Sequence, residues 1–544
     1  MRPARGIAAA VVVIALGAGA FAVYRYTQES APEISASPSP TPSVTPSPSV
    51  EPSPPPPPTL AWGPTEDEWE QALEDARQLP LERAAGQVLI PAWSSPDPAG
   101  AAALVSQYHL GGLILMTGSI VDASQTTALT ASIHDAVAAD GRDWPAIVAV
   151  DQEGGTVARL APVVPDMPGF MAAGSASDKR IVTNAYALLA ADMEALGFTL
   201  DFAPVADITV GMADPVIRVR SAGSQMPNVA DTVAAASEGF LQGGIIPTVK
   251  HFPGHGSVTV DSHDALPVLT TDFAVVEKWD LIPFRRAVNE GVPAVMMGHI
   301  AVPAWGAGPA SLEPAAYAYL RDELGFTGLA VTDALNMGAI TDSYGAGDAA
   351  VAALAAGADA VVIPADVAAA HAGIVAAVNA GTLPRERLDE AVARSILVMR
   401  WQDSIVPIPR DTTGGYASEF AASVASVASA QCGGPLVTSP VHITGGGEGE
   451  RAAFAAALAT HGISTGRGGT TVRLLGAPGG SDRADVVVAM DGPWGLPAST
   501  ATTYVGLYGR SADSLTGLAA LLAGVVEPQG QWPVDMSGLP VPTC

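Results

Sequence analysis

The run at 250–267 reads KHFPGHGSVTVDSHDALP and carries His251, His255 and His263, three of the nine histidines in the chain. Imidazoles this close together can hold a metal ion or line a site for an organic ligand. A metal site would recruit His251, His255 and His263. Pro253 and Gly254 exclude the regular helix that would align the first two rings, and no thiolate or paired-carboxylate spacing completes a known ligand set. No metal and no cofactor is therefore expected, and the composition of the loop suits a polyhydroxylated ligand.

The frame that must hold these groups is legible on either side of them. Between 62 and 402, short apolar and β-branched runs alternate with Ala-rich helical segments, the pattern of repeated βα units around a parallel sheet. Eight strands are predicted, at 87–91, 112–116, 146–151, 199–207, 247–251, 294–299, 329–333 and 360–364. Eight parallel strands close into a TIM-like (β/α)8 barrel, an α/β fold whose site lies at the C-terminal strand ends. Asp151 ends the third strand, Asp207 the fourth, Lys250 and His251 the fifth, His299 the sixth and Asp333 the seventh. A single Asp after a strand is often a helix cap. Six polar groups at equivalent ends predict a shared pocket.

The remaining chain divides by composition. Arg2 and Arg5 precede an apolar run at 6–24, so 1–31 reads as an export signal or transmembrane anchor that connects the protein to a membrane and places the rest outside the cytoplasm. The Pro/Ser-rich stretch at 32–60 cannot pack a core and reads as a disordered linker. The barrel is assigned to 61–402, a linker to 403–415 and a small α/β domain to 416–544. In that domain helices are predicted at 416–430, 451–461 and 514–523, and strands near 441–444, 486–490 and 503–507. Its TGGGEG run at 444–449 lacks dinucleotide spacing and reads as a strand-to-helix turn. The two cysteines, Cys432 and Cys544, would form a disulfide in an oxidising compartment; the other reading is two free thiols. A formal charge of −28 argues against a nucleic-acid partner, which needs cations to neutralise phosphates.

With the KHFPGHG run and the Asp–Ser–His trio that follows it, the chain resembles glycoside hydrolase family 3, specifically its bacterial β-N-acetylglucosaminidase (β-hexosaminidase) branch. The likeness extends to VDQEGG at 150–155, FAPVAD at 202–207, Arg220 and Ser221 after PVI, MMGHI at 296–300, VTDALNMGAI at 331–340, and 508–534 near the C-terminus. The resemblance implies that Asp333 is a nucleophile, trapping the sugar as a covalent intermediate. It implies that His263, paired with Asp261, gives and recovers the proton of the leaving oxygen, work for which an imidazole is suited. It also implies that Asp151, Arg220, Lys250 and His251 hold the terminal sugar's hydroxyls, with Asp207, His299 and Arg159 supporting the pocket. Thr156 departs from the pattern, since many members have Arg there.

The activity so implied is release of non-reducing terminal β-linked N-acetylglucosamine (GlcNAc) from peptidoglycan fragments or chitooligosaccharides. Three alternatives stay open: a β-glucosidase or β-xylosidase of the same family, a GlcNAc phosphorylase, and a catalytically silent glycan-binding protein of the envelope. The Asp–Ser–His trio and the short second domain favour the acetamido-sugar branch, because the glucosidases draw their acid from the second domain.

Overall fold

The computed structural model describes residues 58–430 and 433–542. The leader, most of the Pro/Ser-rich linker, Cys432 and Cys544 lie outside the described residues. Among the described residues no helix is long and apolar enough to cross a membrane.

Among the described residues eleven strands occur before residue 363: β1 (Leu89–Ile90), β2 (Ala92–Trp93), β3 (Gly112–Leu115), β4 (Ile147–Val150), β5 (Gln152–Gly154), β6 (Val157–Ala158), β7 (Leu200–Asp201), β8 (Ile246–Phe252), β9 (Ala294–Met297), β10 (Leu329–Thr332) and β11 (Val361–Val362). The strands β3, β4, β9 and β10 are GLIL, IVAV, AVMM and LAVT, buried at every residue. Such unbroken apolar runs are what a parallel sheet covered on both faces requires. Seven strands pair side by side in the order β10-β9-β8-β7-β4-β3-β2, and β5 with β6 forms a small antiparallel hairpin beside them. The sheet curls. Its first strand is interrupted at Pro91, so that β2 pairs with β3 while β1 pairs with β11. A bridge from Val331 to Ala360 then links β11 to β10.

Helices return the chain between strands, and several begin on an aspartate cap: Asp97, Asp122, Asp178 and Asp366 each accept a backbone N–H of the first turn. These are the aspartates that the capping alternative describes. Asp151, Asp207 and Asp333 stand apart from them.

One irregularity decides how the site is built. Val249 is level with Val295 and Phe252 with Met297, so Lys250 and His251 together oppose the single residue Met296. In a regular strand neighbouring side chains point to opposite faces. A bulge breaks that alternation and re-aims a side chain, and here Lys250 and His251 both border one cavity.

The C-terminal part forms a second sheet of β12 (Ser426–Ser429), β13 (Val441–Gly445), β14 (Thr470–Leu475), β15 (Val486–Ala489) and β16 (Thr503–Gly506). Its order is β12-β16-β15-β14-β13, parallel except for β12. Two sequence expectations need correction. The helix predicted at 416–430 is Tyr416–Val424, and the next residues form β12, antiparallel to β16. The Ala/Ser-rich composition reads as helix, but the open edge of β16 supplies the partner that decides the matter. β14 was not predicted, because Arg473 interrupts its apolar residues. The 444–449 run is a strand-to-helix turn: β13 ends at Gly445, and helix Glu448–Thr460 begins at the Gly447 cap. Gly445 and Gly446 have φ of 69° and 59°, left-handed values that glycine adopts without strain.

The second sheet has its own core of Val472, Leu474, Val488, Val505 and Leu518. The larger core reaches into it through Phe420, Val487, Leu496 and Tyr508. The Gly169 N–H donates to Tyr508 O (2.9 Å), and the Asp166 N–H donates to Asp513 Oδ2 (2.8 Å).

Candidate active site

A cavity of about 330 Å3 opens at the C-terminal ends of the parallel strands. Eight of the residues singled out from sequence border it: Asp151, Arg159, Arg220, Lys250, His251, His255, His263 and Asp333. Asp207 and His299 are wholly buried and bond to residues of the wall. Asp261 is bonded to His263. Arg159, expected only to support the pocket, lies in its wall, and its Nε has no partner among the described residues.

Lys250 Nζ lies 2.8 Å from Asp151 Oδ1 and 2.6 Å from Glu153 Oε1. Arg220 donates to both oxygens of Glu153, each at 2.8 Å, the bidentate geometry that suits a guanidinium. Sequence reasoning missed Glu153. The signal was present: it lies two residues past Asp151, the spacing that returns to the same face of a strand. Burial pushes the Glu153 carboxyl up, but Arg220 and Lys250 outweigh this and hold it well below the usual carboxylate range. Burial likewise disfavours charge on Lys250, yet Asp151 and Glu153 raise it above its ordinary value. Two cations and two carboxylates thus form a compensated group on one wall. Beneath them Asp201 accepts the Gln152 N–H at 2.9 Å, and burial pushes its carboxyl well above the usual range.

A second group of bonds in and around the cavity wall is organised by histidines. His251 Nδ1–H donates to Asp207 Oδ2 at 2.7 Å, and Asp207 Oδ1 accepts the backbone N–H groups of His251 (3.2 Å) and His255 (2.7 Å). Burial raises the Asp207 carboxyl, but His251 and His255 outweigh it and keep it below its ordinary value. His299 Nε2–H donates to Ala334 O at 2.9 Å, while Ser311 Oγ–H donates to His299 Nδ1 at 2.7 Å. His299 therefore fixes the backbone next to Asp333, and burial draws its imidazole below the ordinary value.

Asp333 accepts the Ala334 N–H at 2.8 Å. Burial alone would raise its carboxyl, but His299, His251, that N–H and Lys250 together hold it at about 2. It is an ionised carboxylate at any ordinary pH. On a loop that borders the cavity His263 Nδ1–H donates to Asp261 Oδ1 at 2.7 Å. The His263 side chain is 62% exposed, and no hydrogen bond to a described residue engages its Nε2.

His251 Nδ1 is engaged by Asp207 and His255 Nε2 by Ser262 Oγ. Among the described residues no three His, Cys, Asp or Glu side chains are grouped as a metal site.

Residues 81–398 match the family model described as "Glycosyl hydrolase family 3 N terminal domain". Beta-hexosaminidase LpqI of Mycobacterium tuberculosis is 36% identical over 308 residues, 55% of this chain and 78% of that protein. Beta-hexosaminidase A of Pseudoalteromonas piscicida is 33% identical over 280 residues, 48% of this chain and 47% of the relative, so the chain spans about half of that protein's length. A solved family 3 β-N-acetylglucosaminidase from Paenibacillus sp. str. FPU-7 matches with a TM-score of 0.73 and 27% identity, over 84% of this chain and 99% of that one. The family match takes in every strand and loop that borders the cavity and covers more than half of the sequence: the chain is a glycoside hydrolase and belongs to glycoside hydrolase family 3.

Proposed function

We propose that the protein is a retaining exo-β-N-acetylglucosaminidase that releases non-reducing terminal GlcNAc from peptidoglycan fragments or chitooligosaccharides. The observation that carries this reading is the pairing, around one cavity, of an ionised carboxylate, Asp333, with an imidazole, His263, whose Nδ1 is held by Asp261. The hexosaminidase names of the relatives point the same way.

In the proposed sequence an Asp333 oxygen attacks the anomeric carbon as the bond to the leaving oxygen breaks. His263 Nε2–H delivers its proton to that oxygen, and Asp261 stabilises the imidazolium before the transfer. Water then attacks the same carbon, gives a proton to His263, and displaces Asp333 with overall retention. Asp151, Arg220, Lys250 and His251 hold the sugar hydroxyls, and Arg159 contributes its free Nε–H. Asp207 and His299 fix His251 and the backbone at Asp333. We read the curled sheet, linked back through β1 and β11, as a complete (β/α)8 barrel, and 1–60 as a tether that holds the enzyme outside the cytoplasm.

Trapping with a 5-fluoro glycoside of GlcNAc and mapping the labelled peptide tests the reading. The label is expected on the peptide that contains Asp333. Turnover of the unfluorinated glycoside with a label elsewhere, or none, overturns the covalent assignment. Faster cleavage of the nitrophenyl glycoside of glucose than of GlcNAc overturns the choice of sugar.

A further inference from the structure

The loop that carries His263 faces solvent almost throughout. Between 259 and 265 only Ser262 is buried, at 2% exposure. A hydroxyl leaves water at a cost unless a partner meets it, and here the partner is His255, with Ser262 Oγ 2.8 Å from His255 Nε2. His255 is equally buried, and its backbone N–H is held by Asp207, whose other oxygen takes His251. Two main-chain bonds tie the same loop to the segment just past Asp333: Gly338 N–H to His263 O (3.0 Å) and Ala339 N–H to Ser262 O (3.3 Å).

We infer that the His255–Ser262 hydrogen bond is the side-chain contact that sets His263 over the cavity for proton transfer, so that His255 and Ser262 are positioning residues for the acid/base step. The inference rests on the reading of His263 given above. Asp261 cannot do this work, because it lies two residues from His263 and travels with the loop: it orients the ring within the loop, not the loop against Asp333. Position relative to Asp333 comes from contacts that leave the loop. Two of these are main-chain bonds, and the third is the Ser262 hydroxyl, on the residue adjoining His263. Burial, with His251 nearby, draws the His255 imidazole below its ordinary value, so the ring stays neutral and the contact persists through the neutral range.

Losing one such hydrogen bond shifts a loop population by about five- to tenfold. The effect is selective, because a basic leaving oxygen needs the proton and a dinitrophenolate does not. The test compares kcat/KM, which reports the steps up to departure of the aglycone, for chitobiose and for the dinitrophenyl β-glycoside of GlcNAc. For Ser262→Ala the chitobiose-to-dinitrophenyl ratio is expected to fall about five- to tenfold. In His255→Gln, where the amide replaces Nε2, the ratio is expected to stay near that of the parent, and in His255→Leu it falls as in Ser262→Ala. Equal losses on both substrates in Ser262→Ala, or an unchanged ratio in His255→Leu, overturn the inference. His263→Ala is the control for the underlying reading: an unchanged ratio there removes His263 as the acid, whereas a fall there without one in Ser262→Ala and His255→Leu removes the positioning role alone.

Discussion

At the residue scale the site is a set of charges arranged so that each burial cost is met by a neighbour. Asp333 shows this most directly: a buried carboxyl that burial would leave neutral is held at about 2 by His299, His251, the Ala334 N–H and Lys250. Asp333→Asn keeps the shape and removes the carboxylate proposed as the nucleophile. Its kcat/KM on chitobiose is expected to fall by about 10⁴-fold or more, with chitobiose binding retained in calorimetry. Glu153 makes a different prediction. Glu153→Gln leaves Arg220 and Lys250 buried without the carboxylate that bonds them both, a broken buried ion group that costs about 3 kcal/mol. Urea melts are expected to show that loss, together with a raised KM. Because the folded-state carboxyl is depressed, its stabilising contribution is full above the ordinary glutamate range and is lost as pH falls below it. The gap between parent and variant therefore narrows in acid, and a gap that widens there would falsify the assignment. Most of these residues were legible in sequence, because Asp, His and Lys at strand ends are conspicuous. Glu153 was not, since within VDQEGG it has no feature beyond its spacing from Asp151, and its importance comes from Arg220, which is distant in the chain.

At the element scale, what the sequence conveyed well was apolar periodicity, and what it conveyed poorly was pairing. The eight strand positions before residue 402 each contain an observed strand, because every one is a bounded apolar run between turn signals. The bulge at Lys250 and His251 left no trace in the sequence; it is a property of β8 against β9, not of either alone. β12 obeys the same rule, since its Ala/Ser-rich composition favours helix until the edge of β16 supplies a partner, whereas β14 is obscured by Arg473 within its apolar residues. The β13-to-helix turn offers a test of how separate the second sheet is from the chemistry. A Cβ at Gly445 would meet Leu474 O at 2.2 Å, on a residue whose φ is +69°. Gly445→Ala is expected to lower stability by about 2 kcal/mol, from strain at a left-handed position and a backbone clash. Well below its melting temperature its kcat and KM on nitrophenyl GlcNAc should match those of the parent, as Gly445 lies outside the cavity wall. A changed KM at low temperature would show that the second sheet shapes the sugar site.

At the scale of the whole molecule, the two sheets meet along a seam that carries a charge problem. Asp166 gives its backbone N–H to Asp513 Oδ2, and Ser511 Oγ donates to Asp166 O at 3.0 Å. The side chain fares worse: Asp166 Oδ1 is buried with no partner among the described residues. Burial first, and Asp513 second, push the Asp166 carboxyl up to about 6 from its ordinary 3.8. A carboxyl raised in the folded state favours folding in acid and withdraws that support as pH rises through its folded value. The seam is thus at its strongest below the ordinary carboxylate range and weakens by pH 7. Asp166 is not wholly removed from solvent, so screening reduces the cost of ionisation at pH 8 to about 1 kcal/mol. Asp166→Asn keeps the size and the backbone contacts and abolishes the titration. Its melting temperature is expected to equal the parent's near pH 4 and to exceed it by about 1–2 °C at pH 8, with the difference growing between those limits. Calorimetric scans across that range decide it: an advantage for the variant that is constant with pH would show that the gain comes from packing, and a deficit at pH 8 would show that the ionised carboxylate stabilises the seam.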